Sequence, residues 1–128
     1  DVEAALQNIP TLAMLTISAG ELKKKAQSIA RRLKKKIEKT CTINILPTVS
    51  RVGGGALPEF SIDSWAVAFQ PLSMRLSSFE KMLRQLSVPV IGRIENDRFL
   101  LDVRTIQDVE IIELTGTLID ALSGDGSD

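Results

Sequence analysis

Residues 21 to 40 gather nine basic side chains, Lys23, Lys24, Lys25, Arg31, Arg32, Lys34, Lys35, Lys36 and Lys39, against only Glu21 and Glu38. This net +7 is balanced by −7 over the other 108 residues, so a chain that is neutral as a whole is strongly polarised along its length. The chemistry open to such a stretch is electrostatic: guanidinium and ammonium groups facing phosphates, with Arg31, Arg32, Lys35 and Lys36 as candidate nucleic-acid contacts. A solvated helix face that aids solubility fits the same pattern. Other chemistry is scarce. Histidine is absent, which removes the commonest general base and metal ligand. The single cysteine, Cys41, can form neither an internal disulfide nor a thiolate metal cluster, and is expected as a small core residue at a strand start. No catalytic residue and no metal ligand is assigned.

The elements that must position these groups follow from capping and periodicity. Ser18 with Glu21 forms a capping box, and Leu22, Ala26, Ile29, Leu33 and Ile37 then recur at helical spacing on one apolar stripe. Lys24, Arg31 and Lys35 fall on the opposite face. After Thr40 the period changes to two, predicting a strand through Ile43 and Ile45 with Pro47 suited to an edge or a bulge. Gly53, Gly54 and Gly55 are expected to break regular structure before a second strand at residues 64 to 69, ended by Pro71. Ser77 with Glu80 predicts a capped short helix carrying Phe79, Met82, Leu83 and Leu86. Residues 90 to 103 read as a hairpin about the turn Glu95-Asn96-Asp97, and a final helix is expected from Ile106 to Leu122 with Thr105 as its cap.

The order helix, strand, strand, helix, strand, strand, helix predicts an α+β fold, an antiparallel or mixed sheet with helices packed on one face. With 128 residues and 44% hydrophobic content, one core is expected, burying about two thirds of the unfolded surface. Residues 1 to 17 open partway through an apolar pattern and are expected to continue a segment from a missing N-terminal domain. Residues 18 to 122 form the domain itself, and 123 to 128 a flexible tail. No apolar run approaches the roughly 20 residues that span a bilayer, and Asp1-Val2-Glu3 is no signal peptide, so no membrane contact and a cytoplasmic location are expected. Arg93, Arg98 and Arg104 are expected on a solvated strand face with Glu95 and Asp102 as acidic partners. Trp65 is expected in the core. With five aromatic residues in the chain, base stacking on single-stranded RNA has little to work with.

Three stretches carry a resemblance when read in order: Ile9-Pro10-Thr11-Leu12-Ala13-Met14-Leu15, Ser50-Arg51-Val52-Gly53-Gly54-Gly55-Ala56-Leu57-Pro58, and residues 89 to 104 from Pro89-Val90-Ile91-Gly92 to Asp102-Val103-Arg104. Over nearly the whole chain the sequence resembles the C-terminal third of the bacterial selenocysteine synthase family, L-seryl-tRNA(Sec) selenium transferases. The resemblance implies the small C-terminal domain of a fold-type-I pyridoxal-phosphate enzyme, packed over the active-site mouth of its own N-terminal cofactor domain. It also implies conversion of seryl-tRNA(Sec) to selenocysteinyl-tRNA(Sec) with selenophosphate as donor, and a homo-oligomer at full length.

In that family the Schiff-base lysine lies upstream of the matched stretch, so pyridoxal phosphate belongs to the full-length enzyme, this stretch alone binds none, and alone it is expected to be inactive. The lysines here read as an exposed basic face, apart from Lys81 on the short helix. What remains for this domain is substrate contact, with Ser50, Arg51, Gly53, Gly54 and Gly55 as candidates: glycines for close backbone approach and free amides, Arg51 for an anionic group. A tight crossing between strands with Arg51 as a surface charge is the plainer alternative. Two other readings stay open, the small domain of a related pyridoxal-phosphate lyase acting on a sugar acid or amino acid, and a free-standing RNA-binding module.

Overall fold

The computed structural model describes the backbone of residues 18–54 and 57–123, and the side chains of 18–50 and 61–123. The expectations for residues 1–17, for the tail beyond Ser123 and for Gly55 fall outside the described residues. Helix α1 (Ala19–Ile37) starts as its sequence dictates, with both halves of the Ser18/Glu21 capping box formed. Its stripe of Leu22, Ala26, Ile29, Leu33 and Ile37 is buried. Strand β1 (Cys41–Gly54) follows and pairs antiparallel with β2 (Leu57–Pro71). Helix α2 (Leu76–Arg84), the short strands β3 (Arg93–Glu95) and β4 (Arg98–Asp102), two 3-10 turns and helix α3 (Ile111–Leu122) complete the order. The sheet runs β1-β2-β4-β3, and each neighbouring pair is antiparallel, so the antiparallel alternative of the expected α+β fold holds. Pro47 sits on the edge strand β1, where its missing N–H costs no ladder bond.

Alternation divides the sheet into two faces. Ile43, Val67, Phe69, Phe99 and Leu101 point into the main core with the buried sides of α1, α2 and α3. Phe69, Phe79 and Phe99 form its centre, with ring centroids 5.5 to 6.1 Å apart in tilted and edge-on pairs. Thr40 donates its hydroxyl to the Leu122 carbonyl at 2.6 Å, which ties the end of α3 to the turn between α1 and β1.

The other face carries a smaller cluster of Ala66, Ala68 and Leu100 with Leu46 against it. From β3, the Arg93 guanidinium reaches the Thr48 hydroxyl at 2.6 Å and the Val49 carbonyl at 3.2 Å, both on β1. β1 and β3 are opposite edges of the sheet, and three strand spacings would hold them about 14 Å apart if it were flat. The sheet therefore curls toward this face, and the alanines at its centre leave room for the curl.

Three local expectations are corrected. Ser77 does not cap α2: the helix begins two residues earlier than that cap would place it, Arg75 is the cap residue without a side-chain bond, and the helix is held by burying Phe79 and Leu83. The final helix starts at Ile111 rather than Ile106, because Ile106 stays extended and its carbonyl accepts from the Lys25 ammonium instead of entering a helical ladder. The glycine run does not break β1 at Gly53. Pairing continues through a register shift to Gly54 opposite Leu57.

The turn between β3 and β4 uses Asn96 and Asp97, with φ of 52° and 63°, as a two-residue hairpin turn of the primed type. Just before it, a Cβ on Gly92 would lie 2.4 Å from the Leu100 carbonyl oxygen and 2.5 Å from the Phe99 ring. Neither neighbour can retreat, one being backbone in a ladder and the other the centre of the core. Gly92→Ala is expected to lower the unfolding free energy by about 2 kcal/mol or more. Urea denaturation checks this, and a loss below about 0.5 kcal/mol would mean that the β3 strand shifts freely.

Candidate functional site

Two regions carry the predicted site residues, and the fold holds them apart. The first is the outer half of the β1–β2 hairpin. Ser50 and Ser64 lie on the curled face, and both donate their hydroxyls to Asp102 at the end of β4, Ser64 at 2.6 Å. The same carboxylate accepts from the Arg104 backbone amide at 3.0 Å and faces the Arg93 guanidinium at 3.9 Å. Arg93 also pairs with Glu95 at 2.6 Å, so the acidic partners expected for it are the ones it finds.

Ser50 is 3% exposed. Predicted as part of a substrate-contacting loop, it is a buried strand residue whose hydroxyl is committed to Asp102. Arg51, Gly53 and Gly54 continue β1 beyond it, with Arg51 opposite Ser61. Arg104, predicted on a solvated face, is instead 3% exposed and donates through Nη2 to the Asp63 carbonyl on β2. Asp102 and Arg104 are the residues of this region that sequence reasoning passed over. The signal available for them was weak, two charges next to the apolar run Phe99-Leu100-Leu101 and around Val103.

The second region is α1. Arg31, Arg32, Lys35 and Lys36 are all exposed. Helical geometry sets Arg31 and Lys35 opposite the buried stripe and Arg32 and Lys36 on the flank shared with Lys25. Each pair is spaced i, i+4, where like charges repel. The carbonyl end of the helix, which holds Lys34, Lys35 and Lys36 in its last turn, offsets part of that repulsion.

Not every lysine is on the exposed face. The Lys25 side chain is 10% exposed, donates to the Ile106 carbonyl and lies 3.5 Å from Asp108. Lys23 sits over the Trp65 ring at 5.1 Å from its centroid. Trp65 itself is partly buried against the core, as expected, and the ammonium occupies a face that a nucleobase would need.

That contact also fixes the direction of α1. Its start is level with Trp65 and hence with Pro47, the residue paired to it, while its end leads into Cys41. Lys35 therefore lies some 18 Å of helix rise on one side of that level, and Gly54 about 23 Å of strand rise on the other. The basic cluster and the hairpin tip stand on the order of 40 Å apart.

A family model for "SelA: L-seryl-tRNA selenium transferase" matches residues 1–107. The chain belongs to that family. Among its relatives, an L-seryl-tRNA(Sec) selenium transferase of Desulfotalea psychrophila is 56% identical over 120 residues, which cover 94% of this chain and 26% of the relative. One of Nitratidesulfovibrio vulgaris is 38% identical over 95% of this chain and 26% of its own length. One of Geobacter metallireducens is 42% identical over 87% of this chain and 24% of its own length. The chain thus spans about a quarter of the length of the curated relatives it matches.

Cys41 is a core residue of this domain. It is buried at the first position of β1, as expected, and desolvation raises its thiol pKa from 9.0 to about 11. Among the described residues no group of three metal-ligating side chains converges. Among the described residues no helix is long and apolar enough to cross a membrane.

The raised thiol has a pH signature. The unfolded thiol releases its proton near 9 and the folded one near 11, so the Cys41 contribution is intact below pH 9 and is lost as pH rises toward 11. Between those limits the urea midpoint of the wild type is expected to fall more steeply than that of Cys41→Ala. Parallel curves would show that the thiol titrates normally in the folded protein.

Proposed function

We propose that this chain is the small domain of a pyridoxal-phosphate-dependent L-seryl-tRNA(Sec) selenium transferase, and that it contributes tRNA contact rather than chemistry. The observation that carries the tRNA reading is the exposed face of α1, where Arg31, Arg32, Lys35 and Lys36 stand in like-charged pairs. A face selected for solubility alone would be served by mixed charges with less mutual repulsion. Family membership and the name shared by the relatives favour this reading over a sugar-acid or amino-acid lyase, and over a free-standing RNA-binding module.

The full-length enzyme is read as converting seryl-tRNA(Sec) and selenophosphate to selenocysteinyl-tRNA(Sec), in the cytoplasm and as a homo-oligomer. Bound pyridoxal phosphate supplies an electron sink for elimination and addition at the amino-acid β-carbon. The described residues of this chain do not fit it: Lys25 is held by Ile106 and Asp108, and the other lysines of α1 are exposed. The cofactor is therefore assigned to the N-terminal domain of the same polypeptide, and no step is routed through it here. Residues 1–17 are read as the link to that domain, 18–122 as the small domain and 123–128 as its tail. Arg51 with Gly53, Gly54 and Gly55 is read as presenting a guanidinium and backbone amides to the anionic aminoacyl end of the substrate.

Titration of the 128-residue chain with tRNA(Sec) and tRNA(Ser) at several salt concentrations tests the RNA contact. Binding is expected to weaken steeply with salt. Changing Arg31, Arg32, Lys35 and Lys36 to Glu is expected to raise Kd at least about tenfold and to flatten the dependence of log Kd on log salt by about 2 to 4. Equal binding by the variant would overturn the assignment of the helix face, and a preference for tRNA(Ser) would count against the transferase reading.

A further inference from the structure

Each arm of the β1–β2 hairpin continues past the end of α1 that meets Trp65, and beyond that level the ribbon lacks the helix that covers its inner half. A bare two-stranded ribbon is marginal in water and twists freely. Here polar contacts grip it. On the curled face Asp102 takes the hydroxyls of Ser50 from β1 and Ser64 from β2, while Arg93 holds the Thr48 hydroxyl and the Val49 carbonyl. Buried Arg104 holds the Asp63 carbonyl, and its backbone amide closes on the same Asp102. One carboxylate thus joins both arms of the hairpin to the end of β4, three residues before β1 enters its glycine run.

We propose that Asp102 is a positioning residue: with Arg93 and Arg104 it clamps the outer hairpin and fixes where residues 51–54 are presented to substrate. The inference rests on the reading of those residues as the substrate-contacting tip. Asp102 touches no substrate itself. Its charge stays inside the domain, balanced by Arg93, and its work is to remove the bending freedom that the tip would otherwise lose on binding.

The test uses two measurements. In the 128-residue chain, amide hydrogen exchange is followed at residues 48–50 and 61–64 and compared with Val67 and Phe69 in the core. In the full-length enzyme that carries this domain, kcat and KM for seryl-tRNA are measured for wild type, Asp102→Asn, Arg51→Ala and the double variant. Asp102→Asn is expected to speed exchange about tenfold or more in the outer hairpin while the core amides keep their protection. KM is expected to rise about tenfold with kcat changed much less, and this effect should vanish when Arg51 is already alanine.

Unchanged outer-hairpin exchange would overturn the clamp. Faster exchange with an unchanged KM, while Arg51→Ala alone raises KM, would overturn the positioning role and leave the tip reading standing. An Arg51→Ala enzyme indistinguishable from wild type would overturn the tip reading and the positioning role with it, the exchange data then describing a scaffold bond only. If Asp102→Asn folds poorly, Ser50→Ala and Arg93→Gln carry the same comparison, each removing one arm of the clamp.

Discussion

Strands β1 and β2 are longer than the helix laid across them, and the rest of the domain answers to that mismatch. The 19 residues of α1 rise about 28 Å, whereas the 14 residues of β1 extend about 46 Å. Apolar burial can hold the half of the hairpin beneath α1, where Ile43, Val67 and Phe69 face Leu22, Ala26, Ile29 and Leu33. Beyond Trp65, among the described side chains, polar contacts through Ser50, Ser64 and Asp102 join in. The change of residue type along β2 records the transition: Phe69, Val67 and Trp65 on the core face, then Asp63; Ala68 and Ala66 on the curled face, then Ser64.

Buried polar contacts of this kind are demanding. A half-buried carboxylate such as Asp102 costs desolvation free energy that good partners offset. Asp102 has two hydroxyls, a backbone amide and a guanidinium, drawn from β1, β2, β3 and the turn after β4. Such a set is met only when all these segments are in register. The cluster therefore specifies the curl of the sheet more sharply than the small cluster of Ala66, Ala68 and Leu100 does, since apolar contacts among small residues tolerate sliding.

The parts legible in the sequence are those governed by local rules. Ser18, Glu21 and the stripe from Leu22 to Ile37 fix α1 because capping and periodicity act within one helix. Pro47 marks an edge strand, and the hairpin about Asn96 is set by its turn. What escaped depends on partners far apart in sequence. Asp102 meets Ser64 and Ser50 across 38 and 52 residues, and Lys25 meets Ile106 across 81. Alternation alone assigns a charged residue at a strand end to solvent, which is how Arg104 was misplaced. The helix expected from Ile106 failed for the same reason, because the Lys25 ammonium claims a carbonyl that local propensity would give to the helix. Of the two site regions, the basic face of α1 was visible in composition, whereas of the clamp behind the hairpin tip only the pairing of Arg93 with Glu95 and Asp102 was.

The separation of those regions bears on what a domain of this kind can do. The basic cluster on α1 and the outer end of the β1–β2 hairpin lie on the order of 40 Å apart, so no small substrate touches both. A folded RNA can, because its phosphates extend over tens of ångströms while its reactive end is a single aminoacyl group. An electrostatic contact far from the reacting centre contributes uniform binding, which lowers KM without touching kcat, whereas a tip held at the reacting end contributes orientation. The two demands call for different structures. A phosphate contact works through flexible exposed cations on a helix surface, and orientation requires a backbone that does not bend. On the proposed reading the open face of α1 serves the first and a ribbon pinned at Asp102 the second, with the domain core between them.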